Sequence, residues 1–352
     1  MPTIIQSIQQ VSITLASGIT SNTATINSVT VGNCMLVFQG NTASNGTATR
    51  PDGASPRVEL TNSTTVTAIR GASHSDNCVV KAVIVEFVGS VVASAAQAGT
   101  ISLNGVTSNT ATISPVGSSA FVLFLGVTSA TTNTHFGALT SAVQITNSTT
   151  VTACTGVASA NLTVGYMVVD LTSAVVASVQ ARAYTNITKE IGYLDRIKSV
   201  LADNSMIIMN GITVASAGDE GESTNHVLEL VCDDAVLLLR GKGGNTSSAS
   251  CTIRYTIVEF QPGILNGPVQ RGFNGTGLSP SNVGTVTINA VNTNLSISNY
   301  TGMLTTGSSG GAPNSEYGGM VLTNSTTVSF LVGNASNINN VVAGGFEVVQ
   351  FA

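Results

Sequence analysis

The acidic residues Asp219, Glu220 and Glu222 come closest, by type and spacing, to a metal-binding site. Calcium takes several oxygen ligands, and three carboxylates so near one another in a loop could supply some of them. Alternating acids in a polar loop are more often simply solvated. The set is therefore a weak metal candidate only, and the sequence predicts no cofactor.

The remaining reactive side chains do not form a catalytic set. His74, His135 and His226 lie far apart in the sequence, and none has a Cys or a second His at metal-ligand spacing. Residues 241–246 contain a lysine among glycines but lack the G-x-x-x-x-G-K-[ST] order, so a hairpin turn explains them better than a phosphate loop. Glycoside hydrolysis needs carboxylates in a cleft, usually with aromatic walls, but the chain has no Trp and 6 Tyr. We therefore predict no catalytic residues and a protein that is not an enzyme.

The cysteines indicate reduced thiols. There are 5, an odd number, and they fall mostly at strand positions, as small buried hydrophobic residues do. Cys232 and Cys251 are the one pair that the sequence leaves open as a disulfide, because both lie on strands of the same repeat that could be neighbours.

An internal repeat organises the chain that carries these residues. Residues 60–68 read Leu-Thr-Asn-Ser-Thr-Thr-Val-Thr-Ala, and nearly the same letters return at 145–153 and again at 322–328. A missing copy is expected near Val231, where residues 230–236 keep the apolar frame with a different turn. Asn and Ser favour turns and the β-branched residues favour strands, so each copy predicts a β-hairpin.

The period divides the chain into four units, which we call the first to fourth repeats: residues 1–89, 90–173, 174–262 and 263–352. Each has several short strands with a turn signal about every ten residues, which is typical of an antiparallel β-sandwich. The sequence thus predicts an all-β protein of four tandem antiparallel β-sandwich domains of about 85–90 residues each.

Three sequence features recur in every repeat. An apolar pair followed by a glutamine opens each one, an apolar core strand ends at a glycine, and the final strand has an acid or amide before a large apolar residue. In the fourth repeat the core strand, residues 297–302, is less apolar than in the other repeats. This predicts a strand that is more exposed or shifted. Residues 191–203 have some helical character, but their alignment with Ser-Asn-Thr-Ala-Thr favours a strand.

The loops after the core strands differ most between repeats. They cover residues 41–56, 127–141, 212–225 and 303–317. Loops on a stable frame often carry binding sites, but loops also vary where selection does not act on them. A binding role and the absence of one therefore both stay open.

Composition restricts the partners. Charged residues make up 8% of the chain, the net charge is −5, and only 4 lysines are present. A basic stripe for nucleic acid is absent, and so is an apolar run long enough to span a membrane. Lysines normally block sheet edges, so we expect many edges to be covered in an assembly. The third repeat is unusual, since residues 178–262 hold 17 of the 29 charged side chains.

The start of the chain leads directly into repeat sequence. Met1-Pro2-Thr3-Ile4-Ile5 has no basic region and no cleavage site, so we expect synthesis in a host cytoplasm without a signal peptide. The Asn-Xaa-Ser/Thr matches, Asn62 and Asn147 among them, then carry no glycosylation meaning.

The combined pattern is similar to a known family. Gly-Thr-Ile, Ser-Asn-Thr-Ala-Thr-Ile, an apolar strand ending in Gly, Leu-Thr-Asn-Ser-Thr-Thr-Val-Thr-Ala and Val-Val-Glu-Phe together resemble the β-sandwich repeats of virion proteins of tailed bacteriophages, which in turn resemble H-type lectin domains. The resemblance covers the whole chain and is strongest in the first two repeats. It implies a virion location, a homo-oligomer that is often trimeric, and contacts with other virion proteins. No lectin binding residue has a match here.

Two functions follow as hypotheses. The first is a non-enzymatic structural protein of a phage particle: a fibre, a capsid decoration or a tail-associated protein. The alternative is an adhesin that binds a host-surface glycan through its loops. An architectural role predicts extensive contacts in the particle, whereas an adhesin leaves its loops free at a tip.

Overall fold

The fold is known from a computed structural model of the chain. The structure describes the following residues: 3–44, 53, 55–130, 136–158, 161–187, 192–215, 226–240, 250–274, 283–305, 318–332 and 341–352.

The described residues form β-strands and a few short turns of 3₁₀ helix, with no α-helix among them. The strands of the first repeat are β1 (Ile5–Leu15), β2 (Ser21–Thr25), β3 (Cys34–Ser44), β4 (Pro56–Asn62), β5 (Thr65–Arg70) and β6 (Asn77–Phe87). Those of the second are β7 (Val92–Asn104), β8 (Ser108–Thr112), β9 (Ala120–Ser129), β10 (Ser141–Asn147), β11 (Thr150–Thr155) and β12 (Asn161–Leu171).

The third and fourth repeats follow the same order. The third has β13 (Val176–Ile187), β14 (Tyr193–Arg196), β15 (Ser205–Val214), β16 (His226–Cys232), β17 (Ala235–Arg240) and β18 (Cys251–Phe260). The fourth has β19 (Gln270–Asn274), β20 (Val283–Thr287), β21 (Ser296–Thr305), β22 (Gly318–Asn324), β23 (Thr327–Val332) and β24 (Val341–Gln350). The 3₁₀ turns are Val31–Asn33, Gly89–Val91, Phe136–Leu139 and Ala202–Asn204.

The strands build four six-stranded antiparallel sheets in a four-bladed, propeller-like arrangement, which confirms the all-β class. Every sheet joins three strands of one repeat to three strands of the next. The orders are β2-β5-β4-β9-β12-β7, β13-β18-β15-β10-β11-β8, β14-β17-β16-β21-β24-β19 and β1-β6-β3-β22-β23-β20. The last of these joins the fourth repeat to the first, so the four repeats close into a ring.

One glycine per repeat makes the contact between successive repeats, which we call a junction. The pairs are Arg57 with Gly126, Ala142 with Gly211, Val227 with Gly302, and Gly319 with Gly40. All four core-strand glycines have positive φ, from 84° to 120°. A Cβ at any of them would lie about 2 Å from a carbonyl oxygen of the adjoining repeat, so only glycine fits.

The second, third and fourth repeats each have a hydrophobic core of their own, whereas that of the first repeat is continuous with the central core described below. In the second repeat, Val122 and Leu162 from one sheet pack with Val143 and Val151 from another, and all four side chains are buried. The third and fourth repeats have equivalent clusters. Each repeat therefore contributes half of two neighbouring sheets and fills the space between them.

A central core joins the four repeats. The core strands β3, β9, β15 and β21 contact one another in cyclic order and so surround a central axis. The last large apolar residues of the repeats meet there: Phe351 lies 6.2 Å from Phe87 and 5.7 Å from Phe260 between ring centres, both edge to face. Leu171 and the apolar pairs that open the repeats belong to the same cluster.

The copy of the hairpin that was expected near Val231 is present at residues 230–236. Leu230 pairs with Val236 and Cys232 with Ala235, in the register of Leu60 with Val66 in the first repeat. Part of the segment that could have been helical, Tyr193–Arg196, is a strand paired with β17, as its alignment predicted.

The prediction for the fourth core strand is wrong. Ile297 and Ser298 are fully buried, so β21 is not more exposed than its equivalents. Its register is not shifted either, because Ile297 pairs with Val349 as Met35 pairs with Val85. Its polar residues are tolerated because they make hydrogen bonds between repeats, as described below.

Candidate functional site

The ends of the sheets are the surfaces most available to a partner. Among the described residues, eight strands, which we call the edge strands, are paired on one side only: β1, β2, β7, β8, β13, β14, β19 and β20. Five of them, β1, β2, β7, β8 and β20, contain no charged residue. Two of these are long, since β1 has 11 residues and β7 has 13. All edge strands of the first two repeats are thus free of charge.

The recurring glutamine fixes the first edge strand of each repeat. In all four repeats its side-chain amide donates to a backbone carbonyl and accepts from the same residue's N–H. The pairs are Gln9 with Asn27, Gln97 with Ser114, Gln180 with Lys198 and Gln270 with Asn289. We call these contacts the glutamine clamps. They hold the two edge strands of a repeat in a fixed relation.

The acid or amide of the final strand makes a second recurring contact. Glu86 accepts hydrogen bonds from the Ser7 hydroxyl at 3.0 Å and the Thr30 N–H at 2.7 Å. The carboxylates of Asp170 and Glu259 do the same in their repeats. In the fourth repeat Gln350 accepts only from the Asn292 N–H among the residues described there. These side chains therefore stabilise the fold.

The core-strand edges are covered inside the chain. At three junctions an amide side chain of one repeat donates to a core-strand carbonyl of the previous repeat: Gln39 to Ser298, Asn210 to Val122 and Asn299 to Ile207. At the remaining junction the Leu36 N–H lies 3.2 Å from the Met167 sulfur, and the contacts are mostly apolar. Pairing within the ring thus covers the edges of the core strands, which have few charges to prevent association with another chain.

The junction between the third and fourth repeats contains buried charge. Glu347 is 1% exposed and accepts from the Arg271 Nε at 3.1 Å and from the Ile207 N–H at 2.8 Å. Burial raises the pKa of Glu347, although Arg271 and the hydrogen-bond donors act in the opposite direction. Burial also raises the pKa of half-buried Glu229, and the charge of Glu347 adds to that effect.

A small pocket lies on the central axis. It has a volume of about 90 Å³, and all four repeats line it, chiefly through Phe38, Phe124, Met209 and Tyr300. These residues occupy the same position in each repeat, two before the junction glycine. Burial raises the pKa of the Tyr300 hydroxyl, so it stays protonated. The pocket is mainly apolar, and Asn299 and Tyr300 are its polar lining residues.

The predicted metal and phosphate candidates mostly fall outside the described residues. This applies to Asp219, Glu220, Glu222, His135 and residues 241–246. Within the described ranges no three His, Cys, Asp or Glu side chains are grouped closely enough to hold a metal ion. In the same ranges no helix is long and apolar enough to cross a membrane.

The two described histidines lie in different surroundings. The Nδ1 atom of His74 is 3.5 Å from the Asp76 carboxylate, next to the buried Arg70. Arg70 donates to backbone carbonyls, including Asp76 O at 2.8 Å. Nε2 of buried His226 lies 2.8 Å from the Met209 sulfur. In neither arrangement does a nucleophilic side chain lie beside the histidine. The contacts of both histidines are those of residues that stabilise the fold.

None of the five cysteines forms a disulfide, in agreement with the prediction of reduced thiols. Cys34, Cys78 and Cys251 are buried, Cys154 is half-buried and Cys232 is exposed. Burial raises the pKa of Cys34 and Cys78 to about 12, which keeps both thiols protonated. The disulfide left open for Cys232 and Cys251 is not formed, and β16 and β18 are not neighbours in a sheet as that pairing assumed.

Comparisons with known proteins give no relative. No protein-family model matches the chain, and no curated protein is similar to it at a significant level. The likeness to phage virion repeats therefore rests on the sequence motifs alone.

Proposed function

We propose that the chain is a non-enzymatic structural protein of a bacteriophage particle, either a fibre, a capsid decoration or a tail-associated protein. Each repeat acts in it as one β-sandwich domain, which is supported by the separate cores that the second, third and fourth repeats enclose between their own two half-sheets. Its partners are further copies of itself, as a homo-oligomer that could be a trimer, and other proteins of the virion.

The observation that carries this proposal is the absence of charge on the edge strands of the first two repeats. A long, flat edge without Lys, Asp or Glu exposes backbone N–H and C=O groups that another strand can pair with. The 13-residue strand β7 is about twice as long as a typical strand. A protein that had to remain alone would block such an edge, so these strands support assembly through β-sheet edges.

The assembly is tested by placing lysines on β7. Thr100 and Ser102 are exposed and lie on the same face, whereas Ile101 and Leu103 between and beside them are buried. We expect the double variant Thr100→Lys, Ser102→Lys to lower the association state of the purified protein in sedimentation velocity, with an unchanged circular dichroism spectrum. The matched control is Ser17→Lys, an exposed turn position, which should leave association unaffected. An unaltered oligomer in the edge variant would contradict edge-mediated assembly.

The virion location needs a separate experiment. Immunogold labelling of purified phage particles with an antibody against this chain should place it at a defined part of the particle. Absence of label from intact and disrupted particles would overturn the proposal. A monomeric protein that gives a clear glycan-array signal would favour the adhesin instead.

A further inference from the structure

A cavity of about 140 Å³ lies at the junction of the second and third repeats. Its walls include Val143 and Gln144 from the second repeat and Val179, Ala181, Arg254 and Thr256 from the third. The cavity lies away from the central axis, and the edge strand β13 supplies Val179 and Ala181 to its wall. Neither the assembly proposal nor the fold accounts for it.

At two of the other junctions a long side chain reaches across from one repeat to the next. The residue after the clamp glutamine is Arg271 at the third–fourth junction, where its Nη2 reaches Ser205 O at 2.6 Å and its Nε reaches Glu347. At the fourth–first junction it is Gln10, whose Nε2 lies 3.3 Å from Leu322 O. At the second–third junction the residue is Ala181, whose side chain is too short to reach across.

The first–second junction carries its long side chain on the other strand of the pair. There Arg57, the residue that pairs with the junction glycine, forms an ion pair with Glu59. The equivalent residue at the second–third junction is Ala142. Both positions that carry a long side chain at one of the other junctions are thus alanines at this junction, next to the cavity.

The polar groups of this cavity are mainly donors. The Nε of Arg254 donates to Gln144 Oε1 at 3.3 Å, and the structure gives its terminal nitrogens no other partner among the described residues. The nearby Arg182 is already paired with Asp195, at 2.6 Å, so it does not compete for a ligand. The Oδ1 of Asn210 accepts from the Thr256 hydroxyl, and its Nδ2 donates to Val122 O. What remains is a guanidinium fork and the amide nitrogen of Gln144.

We propose that this cavity binds the carboxylate of a small organic acid. A guanidinium presents two parallel N–H groups that match the two oxygens of a carboxylate. Val143, Val179 and Ala181 form an apolar wall for a short alkyl group or one ring. The volume is close to the roughly 150 Å³ of an apolar cavity that holds benzene, which sets the upper size of the ligand. A single arginine favours a monoanion over a phosphate dianion. The site is independent of the assembly role proposed above.

Titration of the full-length protein with benzoate, followed by calorimetry, tests the site. Benzyl alcohol has the same ring without the charge and should bind at least about tenfold more weakly. We expect Arg254→Gln to weaken benzoate binding by at least about tenfold. Ala181→Gln copies the side chain that reaches across the fourth–first junction and should abolish binding while the protein stays folded.

The matched control is Arg196→Gln, which removes an exposed arginine of the same repeat that pairs with Asp234 outside the cavity. It should leave benzoate affinity unchanged. Four results would each overturn the proposal: no saturable benzoate binding up to 10 mM (about the weakest affinity of interest), equal binding of benzoate and benzyl alcohol, unchanged binding in Ala181→Gln, or inorganic phosphate that competes as strongly as benzoate.

Discussion

The junction glycines show at the residue scale how a closed ring depends on single backbone positions. Gly126 has a φ of 95°, and a Cβ there would lie 2.2 Å from Pro56 O in the previous repeat. Any other residue at this position meets both an unfavourable backbone conformation and a clash with backbone that cannot move aside.

We therefore expect Gly126→Ala to lower the free energy of unfolding by more than about 3 kcal/mol. Gly105 provides the matched control, because it also has a positive φ, of 67°, but no atom lies within 4 Å of its Cβ position. Gly105→Ala should cost only about 1 kcal/mol, from the backbone conformation alone. Denaturant unfolding measures both values, and equal losses would show that the close approach between repeats is not what makes Gly126 necessary.

The buried Glu347 predicts a particular pH dependence. Its pKa is raised by burial in the folded protein, while an unfolded glutamate titrates near about 4.3. The folded state therefore holds the proton more tightly, and stability falls as the pH rises from about 4.3 towards the folded pKa. The slope can reach about 1.4 kcal/mol per pH unit.

Glu347→Gln removes this titration. The unfolding free energy of the natural protein, minus that of the variant, should decrease between pH 4 and 8 in denaturant titrations. If the difference instead increases with pH, the ion pair with Arg271 outweighs burial, and the pKa of Glu347 is lowered.

Much of this residue-level detail could be predicted from the repeated positions. The clamp glutamines and the acids before Phe87, Leu171 and Phe260 were visible as recurring letters, because local hydrogen bonds conserve their spacing within a repeat. Their partners were not visible, since Ser114 and Thr30 lie in turns without a strong signal. The polar residues of β21 misled the prediction, because Asn299 bonds to Ile207 of another repeat and no local pattern records such a contact.

At the scale of elements, the glutamine clamp links two edge strands that share no backbone pairing in the described sheets. In the second repeat, Gln97 Nε2 donates to Ser114 O at 3.0 Å, and Gln97 Oε1 accepts from the Ser114 N–H at 2.6 Å. Both bonds are exposed to solvent, so their combined contribution to stability is modest, about 1 kcal/mol.

Removal of the clamp should act locally. We expect Gln97→Ala to speed hydrogen exchange of the Ser114 amide by about fivefold, with a small effect on global unfolding. Gln97→Glu keeps the acceptor for that amide and should preserve most of its protection. If Gln97→Ala leaves exchange at Ser114 unchanged, the clamp does not hold the two strands together.

The candidate surface was also partly predictable at this scale. A shortage of lysine indicates poorly protected sheet edges, and the sequence predicted that neighbours would cover them. It did not indicate which edges those are. The ring covers the core-strand edges within one chain, and this depends on pairings between repeats, such as Arg57 with Gly126, that no single repeat encodes.

At the scale of the whole molecule, shared sheets make the repeats interdependent. Each sheet crosses a junction, and the central core draws on all four repeats. Four independent domains would unfold in separate steps, whereas this architecture favours one cooperative transition.

Val151→Asp tests that cooperativity. Val151 is 0% exposed in the core of the second repeat, so the variant buries an unpaired carboxylate and should lose about 4 kcal/mol or more of stability. Because the second repeat shares sheets with the first and the third, we expect calorimetry to show one transition at a lower temperature. The neighbouring variant Thr152→Asp is the control, since Thr152 is only half-buried on the opposite face and should shift the transition little. The opposite result is a separate transition at lower temperature that carries about a quarter of the unfolding enthalpy of Val151→Asp, while the main transition is unchanged. It would mean that the repeats fold as independent domains despite their common sheets.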